Sequence, residues 1–412
     1  MSTYTFLTLN DFAFDGGATI RMYGIINGLA EEGHKIHLIS NATSFTSFHS
    51  TIEHSYLALK ISKNQKRNIQ LLAGITPWHF FRLIMYKFIK RLRNSTNQVL
   101  LTGSEVISFE YLDNTIAYIL KHMKVIKSYT NDLHGIVPEE FKYKSRYATS
   151  RTQKIAYLAR QIASASLDKK VFRHCSGLIY ASKEMEEYFI IKYPYLAHLK
   201  SEIIPYFIEP IRIEKKMGTE VRYGKRPLVD LLKNKTVITF AGSFKKLGGV
   251  PDLVKAFIKI SKKNNDAVLM LIGDGETLEE CKEIVQQNGL QSKVLFVGRI
   301  QYKSLQQYFD LTHIIVCPDR FNRFSDLILH AKYYDAFYSG KIVILGNFKV
   351  VKELNSTHLH SLVYNLEQKD SLSDTIQSAL DNKYELLPAF RQNKIRIENQ
   401  YNYAYYFKHN NL

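Results

Sequence analysis

Cysteine is scarce in this sequence: Cys175, Cys281 and Cys317 stand far apart in a chain of 412 residues. So few and so scattered, they exclude a disulfide framework or thiolate zinc site and fit a reducing compartment. No window reaches about 18 uncharged apolar residues, so no segment is expected to span a bilayer. The opening stretch MSTYTFLTLNDF lacks a basic start and a long apolar core, so no signal peptide is expected. Long low-complexity runs, a close acidic pair that would hold a metal, and recognisable nucleic-acid motifs are missing too. What is present is the composition of a soluble globular chain, 45% hydrophobic and 23% charged, long enough for two domains. Its charge is unusual. Fifty-six Lys and Arg against 38 Asp and Glu leave +18, which favours polyanions, an anionic membrane surface or a nucleotide diphosphate.

The hydrophobic pattern alternates short apolar runs with helical spacing. A strand at Thr3 to Leu9, the loop Asn10 to Gly17, a helix from about Ala18 to Glu32 and a strand at Lys35 to Ser40 make a βαβ unit. Gly16-Gly17 lets the backbone turn sharply where a ligand could approach. Leu71 to Arg93 reads as one basic amphipathic helix, either lying in a membrane interface or serving as a core helix with a solvated cationic edge. Lys142 to Lys170 is a second basic region. Short strands are expected at Val99 to Gly103 and Val125 to Tyr129, which sets Asp132 and His134 in a loop past a strand's carboxyl end. A strand at Gly177 and the run Ile203-Ile204-Pro205 close the first half, and Lys-, Arg-, Pro- and Gly-rich residues 209–235 read as a linker.

Beyond it the pattern restarts, with strands at Val237 to Ala241, Ala267 to Ile272, Val294 to Val297 and Ile314 to Val316 separated by helices. Such alternation means a second parallel sheet. The stretch from Cys317 to Gly340 then organises the rest. Pro318 ends a buried strand, helical spacing begins at Leu329, and Gly340 closes the helix where a left-handed residue is cheapest. A helix start attracts an anion, so a phosphate is expected against residues 324–330, with Asp335 one turn on as an acceptor for a sugar hydroxyl.

Lys332, Asp335, Gly340-Lys341 and the apolar strand after them resemble the second half of the donor-site motif in the retaining glycosyltransferases of family four, glycosyl transferases group 1. In that family a glutamate, seven residues and a second glutamate bracket the donor; the first touches the transferred sugar and the second holds the ribose. Asp335 matches the second position. The first falls on Leu327, so sugar contacts come either from Asp326, one place earlier, or from backbone N–H groups and Ser325. Asp132-Leu133-His134-Gly135 matches the segment that supplies a histidine beside the transferred sugar. The context of Gly16 and Gly17 resembles the loop that faces acceptor and donor phosphates. In GSFKKLGGV, Ser243 and Gly248 stand where the family has the arginine and lysine that clamp the diphosphate, and Lys245 and Lys246 restore the charge. Arg299, Arg320, Arg323 and Lys332 are further cations for the diphosphate, and Gly273 and Phe324 complete the donor-side set.

The resemblance implies an α/β protein of GT-B fold, two Rossmann-like domains facing each other across a cleft. The expected boundaries are 1–208 with a returning tail 386–412, the linker 209–235, and a nucleotide-sugar domain 236–385. It implies a glycosyltransferase that moves a sugar from a nucleotide-diphosphate donor to a saccharide or lipid-linked acceptor with retention, in cell-surface polysaccharide synthesis. Neither cofactor nor metal is expected beyond the nucleotide sugar as co-substrate. The expected place is the cytoplasm, peripheral at the inner face of the cell membrane, with an anionic membrane surface as partner and no specific nucleic acid. Two alternatives stay open: a sugar-nucleotide epimerase of the same fold, and a non-catalytic basic protein that binds polyanions or membrane.

Overall fold

The computed structural model describes residues 2–13, 17–43, 48–98, 101, 103–109, 111–207, 221–224 and 226–410. The chain divides into two compact units, Met1–Tyr206 with Phe407–Leu412, and Phe207–Tyr406.

The first unit is built on β1 (Thr3–Leu7), β2 (Lys35–Ser40), β3 (Glu53–Tyr56), β4 (Glu105–Ser108), β5 (Ser128–Leu133), β6 (Gly177–Tyr180) and β7 (Lys200–Ile203). They pair in the order β3-β2-β1-β4-β5-β6-β7, and every pairing is parallel. Parallel neighbours need crossover connections. The order reverses between β1 and β4, and at such a switch point the loops diverge and leave a crevice at the strands' carboxyl edge.

Two expected strands shift. β5 runs to Leu133 instead of ending at Tyr129, because Asn131 and Asp132 are buried polar residues with partners: Ser108 Oγ donates to Asn131 Oδ1 at 3.2 Å, and Arg21 donates to Asp132. Their polarity reads as loop in the sequence and is core in the fold. β4 lies at Glu105–Ser108 instead of Val99 to Gly103, where Gly103 makes a turn at φ 78°; Val99, Leu100 and Thr102 lie outside the described residues.

The single helix expected over Leu71 to Arg93 is three: Lys63–Ile75, Trp78–Ile84 and Tyr86–Gln98. Pro77 has no N–H to continue the first, and Thr76 before it is extended. The break divides the apolar residues between two fates. Phe81, Phe88, Ile89 and Leu92 enter the core, while Phe80, Leu83 and Ile84 are 61%, 72% and 59% exposed.

The second unit opens on a small antiparallel pair, β8 (Arg222–Tyr223) and β9 (Arg226–Pro227), and is built on β10 (Thr236–Ala241), β11 (Ala267–Ile272), β12 (Val294–Gly298), β13 (Ile314–Cys317), β14 (Ile342–Gly346) and β15 (Leu362–Tyr364). The six pair in the order β12-β11-β10-β13-β14-β15, all parallel. Every residue of β11, β13 and β14 is buried, which requires cover on both faces of the sheet.

Both expected boundaries move. Of residues 209–235, 209–220 and 225 lie outside the described residues, but the remainder is no linker: Leu228 and Leu232 share a core with Val237, Val268 and Met270, with Val221 and Tyr223 packed against it. The helix Lys383–Gln400 also stays with the second unit. It packs on the helix Ala331–Tyr338 and on β14, burying Phe390, Asn393 and Ile397 at helical spacing. The tail grouped with the first unit therefore begins at Phe407 instead of residue 386.

Candidate active site

In the second unit the switch point lies between β10 and β13, and three loops meet at that sheet edge. Glycine makes their contact possible. A Cβ on Gly273 would stand 1.9 Å from the Gly242 carbonyl oxygen, and one on Gly249 (φ 61°) would stand 1.9 Å from that of Pro318. The Gly242 N–H donates to Ile272 O at 3.0 Å and the Arg320 N–H to Leu247 O at 2.8 Å, tying the loops after β10, β11 and β13 together.

At their centre is Asp319, 5% exposed, the residue after the proline that ends β13. Lys332 Nζ holds both its oxygens, at 2.7 Å and 2.6 Å, and the Tyr333 hydroxyl donates to Oδ2 at 3.0 Å. The Lys332 ammonium also lies 5.7 Å from the centre of the Phe240 ring. Arg320, which follows, makes a fork onto Asp252 at 2.5 Å and 2.8 Å; a bidentate carboxylate pair draws on much of its hydrogen-bonding capacity.

The short helix Arg323–Leu327 is capped by Asn322, whose Oδ1 accepts the Ser325 N–H at 2.9 Å. One of the free N–H groups expected for a phosphate at residues 324–330 thus has a protein partner. The helix Ala331–Tyr338 instead starts at His330 with no side-chain cap, and that start remains open to an anion. His330 Nε2 and Ser325 Oγ are 2.8 Å apart, and the Phe324 ring lies 5.1 Å from the imidazole. Burial pushes His330 down to about 4, with Lys332 and Lys245 adding to the effect and Asp319 opposing it, so the ring is neutral at pH 7.

Asp335 sits one turn into this helix. The Tyr302 hydroxyl, just past β12, donates to its Oδ1 at 2.5 Å, and burial pushes the carboxyl up to about 7 despite that bond. Asp326 points elsewhere: its Oδ1 accepts the Lys349 N–H at 2.7 Å, at the start of the helix Lys349–Asn355. Arg299 is 79% exposed and 3.5 Å from Asp274. Lys246 donates its N–H to Glu276 Oε1 at 2.8 Å. Ser243, Lys245 and Gly273 lie on the first two loops, and Arg323, Phe324, Ser325 and Lys332 on the third segment. Sequence reading missed Asp319, His330 and Tyr302. An acid directly after a strand-ending proline was a usable signal for the first.

The first unit has its own polar centre. His134 lies one residue past β5, and its Nδ1 is 2.7 Å from Asp132 Oδ2. Arg21, in the helix Gly17–Glu31, donates Nε to the two Asp132 oxygens at 2.9 Å and 3.1 Å and Nη2 to Oδ1 at 2.5 Å. Its Nη1 reaches Ile204 O at 2.6 Å and Pro205 O at 3.2 Å. Arg21 and Asp132 are 0% and 1% exposed. Burial acts to raise the Asp132 carboxyl, yet the Arg21 guanidinium and the His134 imidazole together hold it below the ordinary range. With Nδ1–H donating to Asp132, Nε2 is left for a ligand. A cation inside an otherwise apolar helix, TIRMYGII, was the sequence signal for Arg21. Gly17 begins that helix; Gly16 lies outside the described residues.

Two parallel α/β units with polar groups gathered at their switch points define the GT-B fold, and solved structures agree over nearly the whole chain. Sucrose-phosphate synthase from Thermosynechococcus elongatus superposes with a TM-score of 0.70 at 16% identity, covering 99% of this chain and 97% of that one. The HepE protein of Anabaena, in complex with UDP and glucose, gives 0.63 at 13% identity, covering 98% and 96%. Residues 226–397 match the family model of glycosyl transferases group 1. An uncharacterized glycosyltransferase of Methanocaldococcus jannaschii is 24% identical over 132 residues, 32% of this chain and 34% of that protein. The chain thus spans between about a quarter and about a third of the length of the curated relatives it matches. Among the described residues, no group of three or more His, Cys, Asp or Glu is placed to hold a metal ion, and no helix is long and apolar enough to cross a membrane.

Proposed function

We propose that this protein is a retaining glycosyltransferase that takes a sugar from a nucleoside-diphosphate sugar and gives it to a saccharide or lipid-linked acceptor. The observation that supports this most is the β10/β13 edge of the unit that matches the group 1 model, where Asp335, Lys332, Lys245 and an uncapped helix start gather around glycine-bounded loops. Asp335 accepts from the ribose. Lys245, Lys246 and Lys332 hold the diphosphate; Asp319 orients Lys332, whose ammonium retains a third N–H for phosphate oxygen.

In the reaction the acceptor hydroxyl attacks the anomeric carbon from the side of the departing diphosphate. The new C–O bond forms as the C–O bond to phosphate breaks, and the hydroxyl proton passes to the departing phosphate oxygen. Negative charge grows on the diphosphate, and the lysines and helix N–H groups, already in place, stabilise it. His134, its ring fixed by Asp132, is assigned to a hydroxyl of the transferred sugar. Ser325 is a second candidate for sugar contacts, and Gly17, Gly273, Arg299, Arg323 and Phe324 complete the donor side.

The reading places the enzyme against a membrane in cell-surface polysaccharide synthesis. Ile75, Phe80, Leu83, Ile84 and Tyr86 are all more than half exposed and are interspersed with Arg82, Lys87 and Lys90. Exposed apolar side chains among cations fit an anionic lipid interface.

The deciding test is a thermal-shift screen against UDP, GDP, ADP, CMP and their sugar conjugates. One base should raise the melting temperature by several degrees at concentrations far above Kd, and Asp335→Ala should lose the shift. A flat response to every nucleotide overturns the reading.

A further inference from the structure

A groove of about 550 Å³ runs between the helices Lys63–Ile75, Val137–Arg146 and Arg151–His174 of the first unit. Lys63, Lys66, Arg67, Lys144 and Arg160 line it, and no acidic residue does. Of these five, only Lys144 has a carboxylate partner among the described residues, Glu140 at 3.9 Å. Arg160 lies against the Phe141 and Tyr157 rings at 5.8 Å and 5.9 Å. Like charges held around one groove repel one another and favour an anion there.

The walls are fixed. A Cβ on Gly74 would stand 2.2 Å from Ala163 O, so the helices touch backbone to backbone. Ser166 Oγ donates to Gly74 O, and Lys170 Nζ donates to Ala73 O and Thr76 O, each at 2.8 Å. The groove is therefore preorganised.

Lys66 and Tyr111 also line a second space, a cavity of about 220 Å³ that reaches His134. On its wall is Asp168, 5% exposed, whose carboxylate receives no hydrogen bond among the described residues. A buried carboxylate without a donor is costly unless a ligand supplies one. Burial pushes Asp168 up to about 7, with Lys192 opposing. Asn114, Glu140 and the aromatic residues Phe109, Phe172 and Phe189 are also on its wall. Hydroxyl donors over an apolar ring face describe a sugar.

We propose that the groove and the cavity beside it, which share Lys66 and Tyr111, bind a phosphate-bearing saccharide, its phosphate on Lys63, Lys66, Arg67, Lys144 and Arg160 and its ring hydroxyls on Asp168 and Asn114. As the acceptor of the transfer, this ligand rests on the glycosyltransferase reading above. As a binding site it stands on the first unit alone.

The test is calorimetric titration of the whole protein with inorganic phosphate, with glucose 1-phosphate and, as a lipid-linked source, with monomeric dihexanoyl phosphatidylinositol. Paired Arg67→Glu and Arg160→Glu should weaken all three at least about tenfold, with the nucleotide melting shift unchanged. Arg67→Glu alone, at an exposed position, serves if the pair fails to fold. Asp168→Asn should weaken the two sugar-bearing probes several-fold and leave inorganic phosphate unchanged. The tighter of the two sugar-bearing probes names the source. Absence of saturable binding, binding indifferent to the Arg67 charge, or sugar-probe affinity indifferent to Asp168→Asn overturns the proposal. In those cases an intact nucleotide response leaves the transferase reading standing; loss of the nucleotide response alone sinks only the donor site.

Discussion

The Tyr302 hydroxyl donates to Asp335 Oδ1 at 2.5 Å, joining the loop after β12 to the helix after β13. One oxygen of Asp335 is therefore held while the other is left for a ligand. Asp335→Ala should raise the donor KM about 10- to 100-fold, the loss of one or two bonds to a charged acceptor, with little change in melting temperature. With its carboxyl pushed up to about 7, the accepting form appears as pH rises through neutrality, so donor affinity should improve from about pH 6 to 8. Donor KM measured across that range in wild type and Asp335→Asn checks this: the variant's profile should be flat.

Lys332 and Asp319 form a largely buried pair, 23% and 8% exposed in their side chains. Removing one partner leaves the other uncompensated, so Lys332→Ala should cost about 3 kcal/mol of stability as well as donor affinity. Adding Asp319→Asn should restore much of the stability and none of the affinity. Urea unfolding beside nucleotide titration separates the two.

Arg21 ties Asp132 to the carbonyls of Ile204 and Pro205 from inside a buried helix. Arg21→Ala should destabilise the first unit by about 3–5 kcal/mol. Asp132 has a folded pKa below its unfolded value, so its contribution is present above about pH 4 and is lost as pH falls through the folded value. The difference between wild type and Arg21→Ala in urea should accordingly shrink at low pH.

Asp168 has the opposite sign. Its carboxyl is raised to about 7, so the folded state keeps a proton that the unfolded chain gives up near pH 4, and stability falls as pH rises between those values. At about 1.4 kcal/mol per unit over about three units, the loss is roughly 4 kcal/mol at most. Asp168→Asn should remove it, read as a melting temperature that no longer declines from pH 5 to 7.5.

Phe80→Glu with Leu83→Glu replaces two exposed apolar side chains by acids. Flotation with vesicles containing anionic lipid should capture the wild type and lose the variant, while its melting temperature and nucleotide response stay unchanged. Equal flotation of both would exclude this patch as the membrane contact.

Much of the fold was legible in the chain. β10, β11, β13 and β14 are buried on both faces, so each reads as an unbroken apolar run. Gly340, with φ 68°, ends its helix where the sequence places the stop. Where polar residues are buried, sequence misleads: Asn131 and Asp132 look like a loop because their partners, Ser108 and Arg21, are distant in sequence. The same holds for residues 221–235, whose leucines belong to a core assembled mostly from β10 and β11.

Local chemistry, then, was fixed by the sequence itself: parallel strands from apolar runs, helix stops from glycine and proline, a carboxylate at 335 and cations near glycine-rich loops. Tertiary structure alone decided the partners. It gave Lys332 to Asp319, Tyr302 to Asp335, Asp326 to the start of the Lys349 helix and Arg21 to Asp132, and it left Asp168 facing a cavity. Hydrophobic periodicity is a property of neighbours along the chain, whereas a hydrogen bond or an ion pair depends on which distant loops the sheet order brings to the same edge.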